Sequence, residues 1–242
     1  MKFFFLFIPL FIYSFLGLAQ SDQNEYTSTE KEVDQFPIFI GIHPSLSLPL
    51  LDFKDNMGKV GLGGGVEFLV NINNSPILVG AASTIANYGH ESLEFIDNEG
   101  FELAWKTNSS LWDLHAVVQI EPPLGLEFQP YIQGKVGFNH FFTITRLVDI
   151  TNGGDDGTLE RLVDNNSTGL SYGGAIGGLF PLDQDWRIML NASVSYLKGS
   201  QVSFYAKQDN FSIAGDTLEA FDLFDSTVDM VRLEVGVLVY LW

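Results

Sequence analysis

Apolar and polar residues alternate with period two over most of the chain beyond residue 36. From Ile38 to Leu48 the even positions Ile38, Ile40, Ile42, Leu46 and Leu48 are apolar, while the odd ones include Gly41, His43, Ser45 and Ser47. That period is the signature of a strand with two unlike faces. It recurs in Val60, Leu62, Val66, Phe68, Val70 and Ile72, set against Gly61, Gly63, Gly65, Glu67 and Asn71. A less clean run covers Ile77 to Asn87. Trp112, Leu114, Ala116, Val118 and Ile120 alternate with Asp113, His115, Val117, Gln119 and Glu121, and Trp186 to Tyr196 alternates in the same way with Arg187, Met189, Asn191, Ser193 and Ser195. Tyr131 to Arg146, the glycine-rich Gly169 to Phe180 and the final Val228 to Trp242 complete about eight runs of ten or more residues. Globular strands are usually shorter, about 5–6 residues, whereas a tilted strand crossing a bilayer needs about 9–11.

The connections sharpen this reading. Long links (50–59, 88–108, 147–167, 199–227) alternate with short ones at NNSP (73–76), PPLGLEF and LDQD. Short turns at one end and long loops at the other describe a closed antiparallel transmembrane β-barrel of about eight strands, with short periplasmic turns, long extracellular loops and both termini on the periplasmic side. A β-sandwich or a lipocalin-like cup requires no such alternation. Aromatic residues near strand ends, Trp105, Trp112, Tyr131, Trp186, Tyr196, Tyr240 and Trp242, suit the two interfaces of a membrane.

Both ends of the chain fit export and insertion. MKFFFLFIPLFIYSFLGLAQ has one base, Lys2, an apolar run and small residues at Gly17 and Ala19. It predicts a signal peptide over 1–19 with cleavage after Ala19. Residues 20–35 are polar and aperiodic, an acidic disordered leader, and 36–242 form the barrel. The closing VRLEVGVLVYLW supplies a last strand that can meet the first and leave no edge unpaired. Its Leu238, Tyr240 and Trp242 resemble the C-terminal insertion signal of bacterial outer-membrane proteins. Residues 36–242 resemble the small eight-stranded outer-membrane barrels of the OmpA and OmpX kind, particularly the versions common in Bacteroidota, whose signal peptides often end in Ala followed by Gln. The resemblance implies the outer membrane of a Gram-negative bacterium, with insertion machinery and outer-membrane lipid and lipopolysaccharide as partners. It brings no catalytic motif. Arg232 and Glu234 share a face with Leu238, Tyr240 and Trp242, so either that face changes environment along the strand or a bulge intervenes.

Charge narrows the partners. The chain has 30 acids against 12 bases, and loss of Lys2 with the signal leaves 11 bases. Nucleic acid is therefore excluded as a partner. The long links carry Glu91, Glu94, Asp97, Glu99, Glu102, Asp149, Asp155, Asp156, Glu160, Asp164, Asp209, Asp216, Glu219, Asp222 and Asp225, against Lys106, Arg161 and Lys207. Divalent cations bridging these carboxylates beside anionic lipid are the expectation that follows. Absence of cysteine removes disulfides, a thiol for lipid attachment and Cys-ligated metal sites.

Candidate chemistry is sparse. GLGGGVEF and GGAIGG open no helix after a strand, so they are read as glycines of a barrel wall and not as phosphate loops. NGGDDGTLE lacks the order of a calcium loop. His43 and His115 fall on the inward face, where a hydrogen-bonded interior imidazole is the expectation ahead of a catalytic or metal role. His140 faces outward with no serine two residues away, which argues against lipid hydrolysis. DTLEAFDLF has the form of a capped helix start from Asp216, or of a packed turn. No cofactor is implied, and whether metal binds is left open.

Alternation sends Glu67, Asp113, Glu121, Lys135, Arg187, Arg232 and Glu234 into the interior. An eight-stranded barrel has room inside for little beyond its own side chains. Unpaired charges there would be costly, so the bases are expected to pair with the acids and block the lumen. The chain is thus expected to be a non-enzymatic outer-membrane barrel with a structural or surface-interaction role, in preference to a narrow porin or small-ligand carrier, or to a lipid-modifying enzyme. Its protein partner is unknown. Deleting residues 240–242 should abolish assembly, because the terminal strand both closes the barrel and carries the insertion signal. A truncated chain reaching the outer membrane at normal level, in the folded form that gels distinguish before and after boiling, would contradict this.

Overall fold

The structure, a computed structural model, describes residues 37–73, 75–96, 100–123, 126–150, 158–207 and 221–241. Eight strands follow in chain order: β1 (Ile38–Pro49), β2 (Gly61–Asn71), β3 (Ile77–Ile96), β4 (Glu102–Ile120), β5 (Gln129–Asp149), β6 (Thr158–Pro181), β7 (Ile188–Lys207) and β8 (Phe221–Tyr240). Each pairs antiparallel with its neighbours, and β8 returns to β1, so the sheet is a closed barrel. The seam runs from Phe39↔Tyr240 to Pro49↔Met230. Leu241 N donates to Ile38 O at 2.8 Å and Leu50 N to Asp229 O at 2.8 Å, which extends it at both ends. Its register pairs lapse between Ile42↔Val237 and Ser45↔Glu234, around Pro44, a residue with no N–H to donate. Trp242 lies outside the described residues.

The two faces separate as the alternation predicts. Ile42 is 66% exposed and His43 beside it 6%; Val194 is 45% exposed and Ser195 0%. Leu62, Val66, Ile85, Val118, Ile132, Val136, Leu170, Ile176, Leu233 and Val235 are likewise exposed, and with Ile42 and Val194 they give every strand of the barrel an apolar outer surface. Ser47, Asp113, Gln119, Asn139, Ser171 and Arg232 are buried inside. A soluble monomer rarely shows so large a contiguous apolar surface.

The ends of the barrel differ. Residues 72–76, 121–128 and 182–187 connect strands at the end where β1 begins and β8 finishes. At the other end the long links are mostly strand. β3 pairs with β4 out to Ile96↔Glu102, β4 with β5 out to Leu103↔Asp149, and β7 with β8 out to Lys207↔Phe221. The sequence reading of 88–108, 147–167 and 199–227 as loops is corrected accordingly. Cross-strand bonding continues where exposed positions such as His90, Glu94 and Arg146 turn polar, and without an apolar outer face the period-two signal is lost, although Leu103, Trp105 and Val148 stay buried. The reading of Asp216 to Phe224 as a helix start or packed turn is overtaken by β8 from Phe221 onward, while 216–220 lie outside the described residues, as do 152–157 of NGGDDGTLE.

These extensions do not form one tube. Pairing of β2 with β3 ends at Leu62↔Asn87, and pairing of β6 with β7 at Ser171↔Gly199. Beyond those levels, among the described residues, no register pair joins the four-stranded sheet β3 to β6 to the β7–β8 hairpin, although Leu170 N still donates to Ser200 Oγ at 2.8 Å. Register shifts lie at both partings, between Asn87 and His90 and between Lys198 and Gln201. The first is stabilised locally: Gly89, at φ 109°, donates its N–H to Asn87 Oδ1 at 2.8 Å. Bulges of this kind bend one strand away from a neighbour.

A short helix, α1 (Leu51–Met57), joins β1 to β2 at the hairpin end, ending on Gly58 in the left-handed region. It buries Phe53 fully, among Ala86, Tyr88, Leu111, Phe141, Leu197, Val202, Val228 and Met230, with Met57 at the margin. Phe53 meets Tyr88 edge-on, ring centroids 5.3 Å apart.

Candidate functional site

The interior is where the chemistry-bearing side chains converge. Arg232, on β8, is 1% exposed. Its Nε donates to Ser47 Oγ at 3.0 Å, and its Nη2 donates to Asp113 Oδ2 across the lumen. A second pair lies nearby: Lys135 Nζ donates to Glu234 Oε2 at 3.2 Å, and Ser193 Oγ reaches the same oxygen at 3.4 Å. His43 Nδ1 stands 3.5 Å from Glu234 Oε1 without a hydrogen bond to it. These contacts bring residues from β1, β4, β5, β7 and β8 into one charged layer. Both bases have a carboxylate partner, as buried ions require.

Among the described residues no base is in contact with Glu67. Gln133 Nε2 donates to Glu67 Oε1 at 2.8 Å and also to Gln119 Oε1 at 2.5 Å, and Gln119 Nε2 donates to Glu121 Oε1 at 2.6 Å. Two amides therefore link the buried Glu67 to the half-buried Glu121 just past the end of β4. Five of the seven charges that alternation sends inward, Glu67, Asp113, Lys135, Arg232 and Glu234, are buried inside. Arg187 is not among them and is corrected. Strand β7 begins only at Ile188, and Trp186 has φ 56°, so period two does not extend back to Arg187, which is exposed in the turn.

Apolar layers flank the charges. Phe53 and its cluster occupy the hairpin end. Toward the short-turn end, Leu69, Leu78, Ala82 and Val117 form one cluster, Tyr131, Leu179, Met189 and Leu238 another, and Phe39 packs against both. The inward face of β8 thus changes environment, from Arg232 and Glu234 to Leu238, with Tyr240 against Phe39 at 5.2 Å between ring centroids. Of the two alternatives the sequence leaves open for that face, the structure takes the first. Glycine makes room for the larger interior side chains: a Cβ at Gly65 would lie 2.6 Å from His43 Cε1, and one at Gly177 would collide with the Tyr131 ring.

Sequence reasoning placed His115 inside as a hydrogen-bonded imidazole but missed its partner, and it missed two further parts of the interior, the amide relay and Phe53. His115 Nε2 lies 2.9 Å from Ser171 Oγ, with Asp113 two residues away on the same face, a trio suggestive of nucleophilic catalysis. Both members of that hydrogen bond are 3% exposed or less, between the apolar layers, which suits a structural bond. The amide relay through Gln119 and Gln133 needs cross-strand register, which alternation alone does not supply. Phe53 sits in a link with no strand period, and its one signal is an aromatic residue between acids and a lysine. On the outer wall, His140 Nδ1 lies 2.8 Å from Thr168 Oγ1 and its ring stacks on Phe142. Among the described residues no three metal-ligating side chains converge.

No family model and no curated protein matches the chain. Among solved structures it is similar to Neisserial surface protein A, with 14% identity and a TM-score of 0.49 over 84% of this chain and 96% of that one. It is similar also to OprG of Pseudomonas aeruginosa (15%, TM-score 0.46, 86% and 97%) and to Ail of Yersinia pestis (15%, TM-score 0.39, 85% and 97%). No role is carried over from likenesses at this level.

The charge layer makes a direct energetic prediction. Truncating one member of a buried pair strands the other charge and costs about 3–5 kcal/mol, whereas replacing both by apolar residues of similar volume is nearly neutral. Asp113→Ala should therefore lower the urea midpoint of the lipid-refolded protein strongly, and Asp113→Leu combined with Arg232→Met should restore most of it. A double variant that loses the sum of the losses of Asp113→Leu and Arg232→Met made singly would show that the two residues are not coupled.

Proposed function

We propose that the chain is an integral protein of a Gram-negative outer membrane, exported by a cleaved signal peptide, with a plugged lumen and a non-enzymatic role in surface interaction or envelope structure. The observation that carries this reading is the layered interior: ion pairs at mid-height, with buried apolar clusters on either side of them. The apolar outer surface supports the membrane placement, since a closed barrel satisfies every ladder hydrogen bond internally and can meet lipid on its outside. Short turns at one end and long hairpins at the other match the orientation in which the hairpins face the exterior.

A surface role suits the part that extends beyond the barrel. The hairpins are too long to be mere connections, and where β6 and β7 separate each has a strand edge to which an extended partner could add. Divalent cations at the acidic hairpins belong to the same reading, as neighbours of the anionic outer leaflet. Catalysis by the His115–Ser171 pair would need a substrate route through one of the apolar layers, and this weighs against an enzyme.

Conduction decides between plugged barrel and narrow porin. Planar-bilayer recording of the refolded protein should show no stable open channel, and Lys135→Gln, which removes the cation from the Glu234 pair, should raise leakage. Steady conductance in the unaltered protein would put the porin reading first.

A further inference from the structure

Phe53 is the fully buried side chain of α1, with Met57 at the margin of the same cluster, whereas Leu51, Asp52, Lys54 and Asp55 are exposed. The helix has seven residues, and no side chain caps its N-terminus. So short a helix has little stability of its own and stays formed through what it packs against. A residue in the left-handed region stands at each of its ends, Leu51 at φ 50° and Gly58 at φ 62°. Glycine adopts that conformation freely, but at Leu51 it is strained. Just before the helix, Leu50 N donates to Asp229 O at 2.8 Å. α1 is thus a strap bent at both ends, laid over the barrel mouth with one ring inserted.

The cluster that receives this ring rests on the charged layer. Met230 belongs to the cluster, and its Sδ lies 3.7 Å from the Tyr88 hydroxyl and 3.4 Å from Arg232 Nη2. Arg232 bonds Asp113 through Oδ2, while Asp113 Oδ1 is buried with no hydrogen-bond partner among the described residues. Asn139, the register partner of Asp113, is 0% exposed, and among the described residues neither Nδ2 nor Oδ1 of its amide has a partner. Two glycines show where that amide lies. A Cβ at Gly169 would be 3.1 Å from both Asn139 Oδ1 and Val202 Cγ1, and one at Gly199 would be 2.5 Å from Asn139 Nδ2 and 2.8 Å from Val228 Cβ. Val202 and Val228 line the space that Phe53 fills.

Buried donors and acceptors are nearly always paired, and one left alone destabilises the fold unless another group satisfies it. Here one donor and two acceptors stand at the floor of an apolar cup whose stopper is a single ring on a strained strap. An apolar lining with a few polar groups that fix orientation is the composition of a small-molecule site. We infer that Phe53 is a displaceable stopper, and that the cup beneath it binds a small neutral molecule with a ring-sized apolar body and one terminal hydroxyl or primary amide. The body takes the place of the Phe53 ring among Tyr88, Leu111, Phe141 and Met230. The terminal group, able both to donate and to accept, meets Asn139 and Asp113. A charged terminus does not fit, because Asp113 and Arg232 already neutralise each other. This goes beyond the surface role proposed above and leaves the lumen plugged, since the charged layer and the apolar clusters on its far side stay in place.

The test uses the full mature chain in nanodiscs and para-fluorobenzyl alcohol as the probe, followed by fluorine NMR, which separates a saturable bound signal from probe dissolved in lipid. Para-fluorotoluene, the same ring without the hydroxyl, and para-fluorobenzylamine, a cation at neutral pH, are the comparisons. The alcohol should bind the unaltered protein saturably and roughly tenfold more tightly than the toluene, the scale of one buried hydrogen-bonding group, and the amine should bind more weakly than the alcohol. Phe53→Ala should tighten binding of the alcohol, and Phe53→Leu should do so more mildly, because the stopper no longer competes. Asn139→Leu should lower the alcohol to the level of the toluene. Should Phe53→Ala fail to fold, Phe53→Leu, the smaller change in volume, carries the comparison. No saturable signal in the unaltered protein or the Phe53 variants would overturn the inference, as would binding that the Phe53 changes leave unaltered, which places the probe elsewhere on the barrel. Binding by the Phe53 variants alone would show a fixed stopper and overturn its displacement. Equal affinity for alcohol and toluene, tighter binding of the amine, or an undiminished preference in Asn139→Leu would overturn the assigned ligand class.

Discussion

Closure of the sheet is the constraint on which the rest depends. A sheet of eight strands has two edges, each a row of unpaired N–H and C=O groups, and β8 meeting β1 removes both. Once the ring is closed, alternation sends half of every strand into a narrow enclosed volume and half to the outside. The outside is apolar on every strand. The inside receives Asp113, Arg232, Lys135, Glu234 and Glu67, and a volume of this size gives them little water to face. Fold and interior chemistry are therefore two consequences of one pairing.

The charged layer follows from that confinement. Buried ion pairs contribute little net stability, since desolvation offsets most of their attraction, but breaking one leaves a costly orphan. Their value here lies in register. Asp113 on β4 meets Arg232 on β8 only if both strands hold their present positions, and a slip of one residue would turn each charge out onto the apolar wall. The same logic explains the layers on either side. Phe53 from α1 and the clusters around Leu69 and Leu238 fill the volume with largely apolar side chains, and the two buried hydroxyls among them, of Tyr88 and Tyr131, reach Met230 Sδ and Asn191 Oδ1.

Strand positions through the barrel wall were legible in the sequence because one face of each strand is apolar and the other polar. Glu67, Asp113, Lys135, Arg232 and Glu234 were found inside on that signal alone. It fails in two identifiable places. At Trp186 a left-handed backbone conformation breaks the alternation, so Arg187 was carried inward when it lies in a turn. Past the apolar wall exposed positions such as His90, Glu94 and Arg146 are polar, and the outer parts of β3 to β8 read as loops. Partners across the lumen were legible only as a need for neutralisation. That Asp113 serves Arg232 while Gln133 serves Glu67 depends on register, which one sequence does not encode in any local pattern.

Neighbouring residues on opposite faces offer the most direct test of a filled barrel set in lipid. The chain has no cysteine of its own, so single substitutions Val194→Cys and Ser195→Cys report on adjacent positions of β7, one on the outer wall and one inside. In bilayers, Val194→Cys should react with a lipid-soluble maleimide and not with a membrane-impermeant one, and Ser195→Cys should react with neither until the barrel is unfolded. Rapid labelling of Ser195→Cys by the impermeant reagent in the folded protein would show a water-filled lumen and contradict the account.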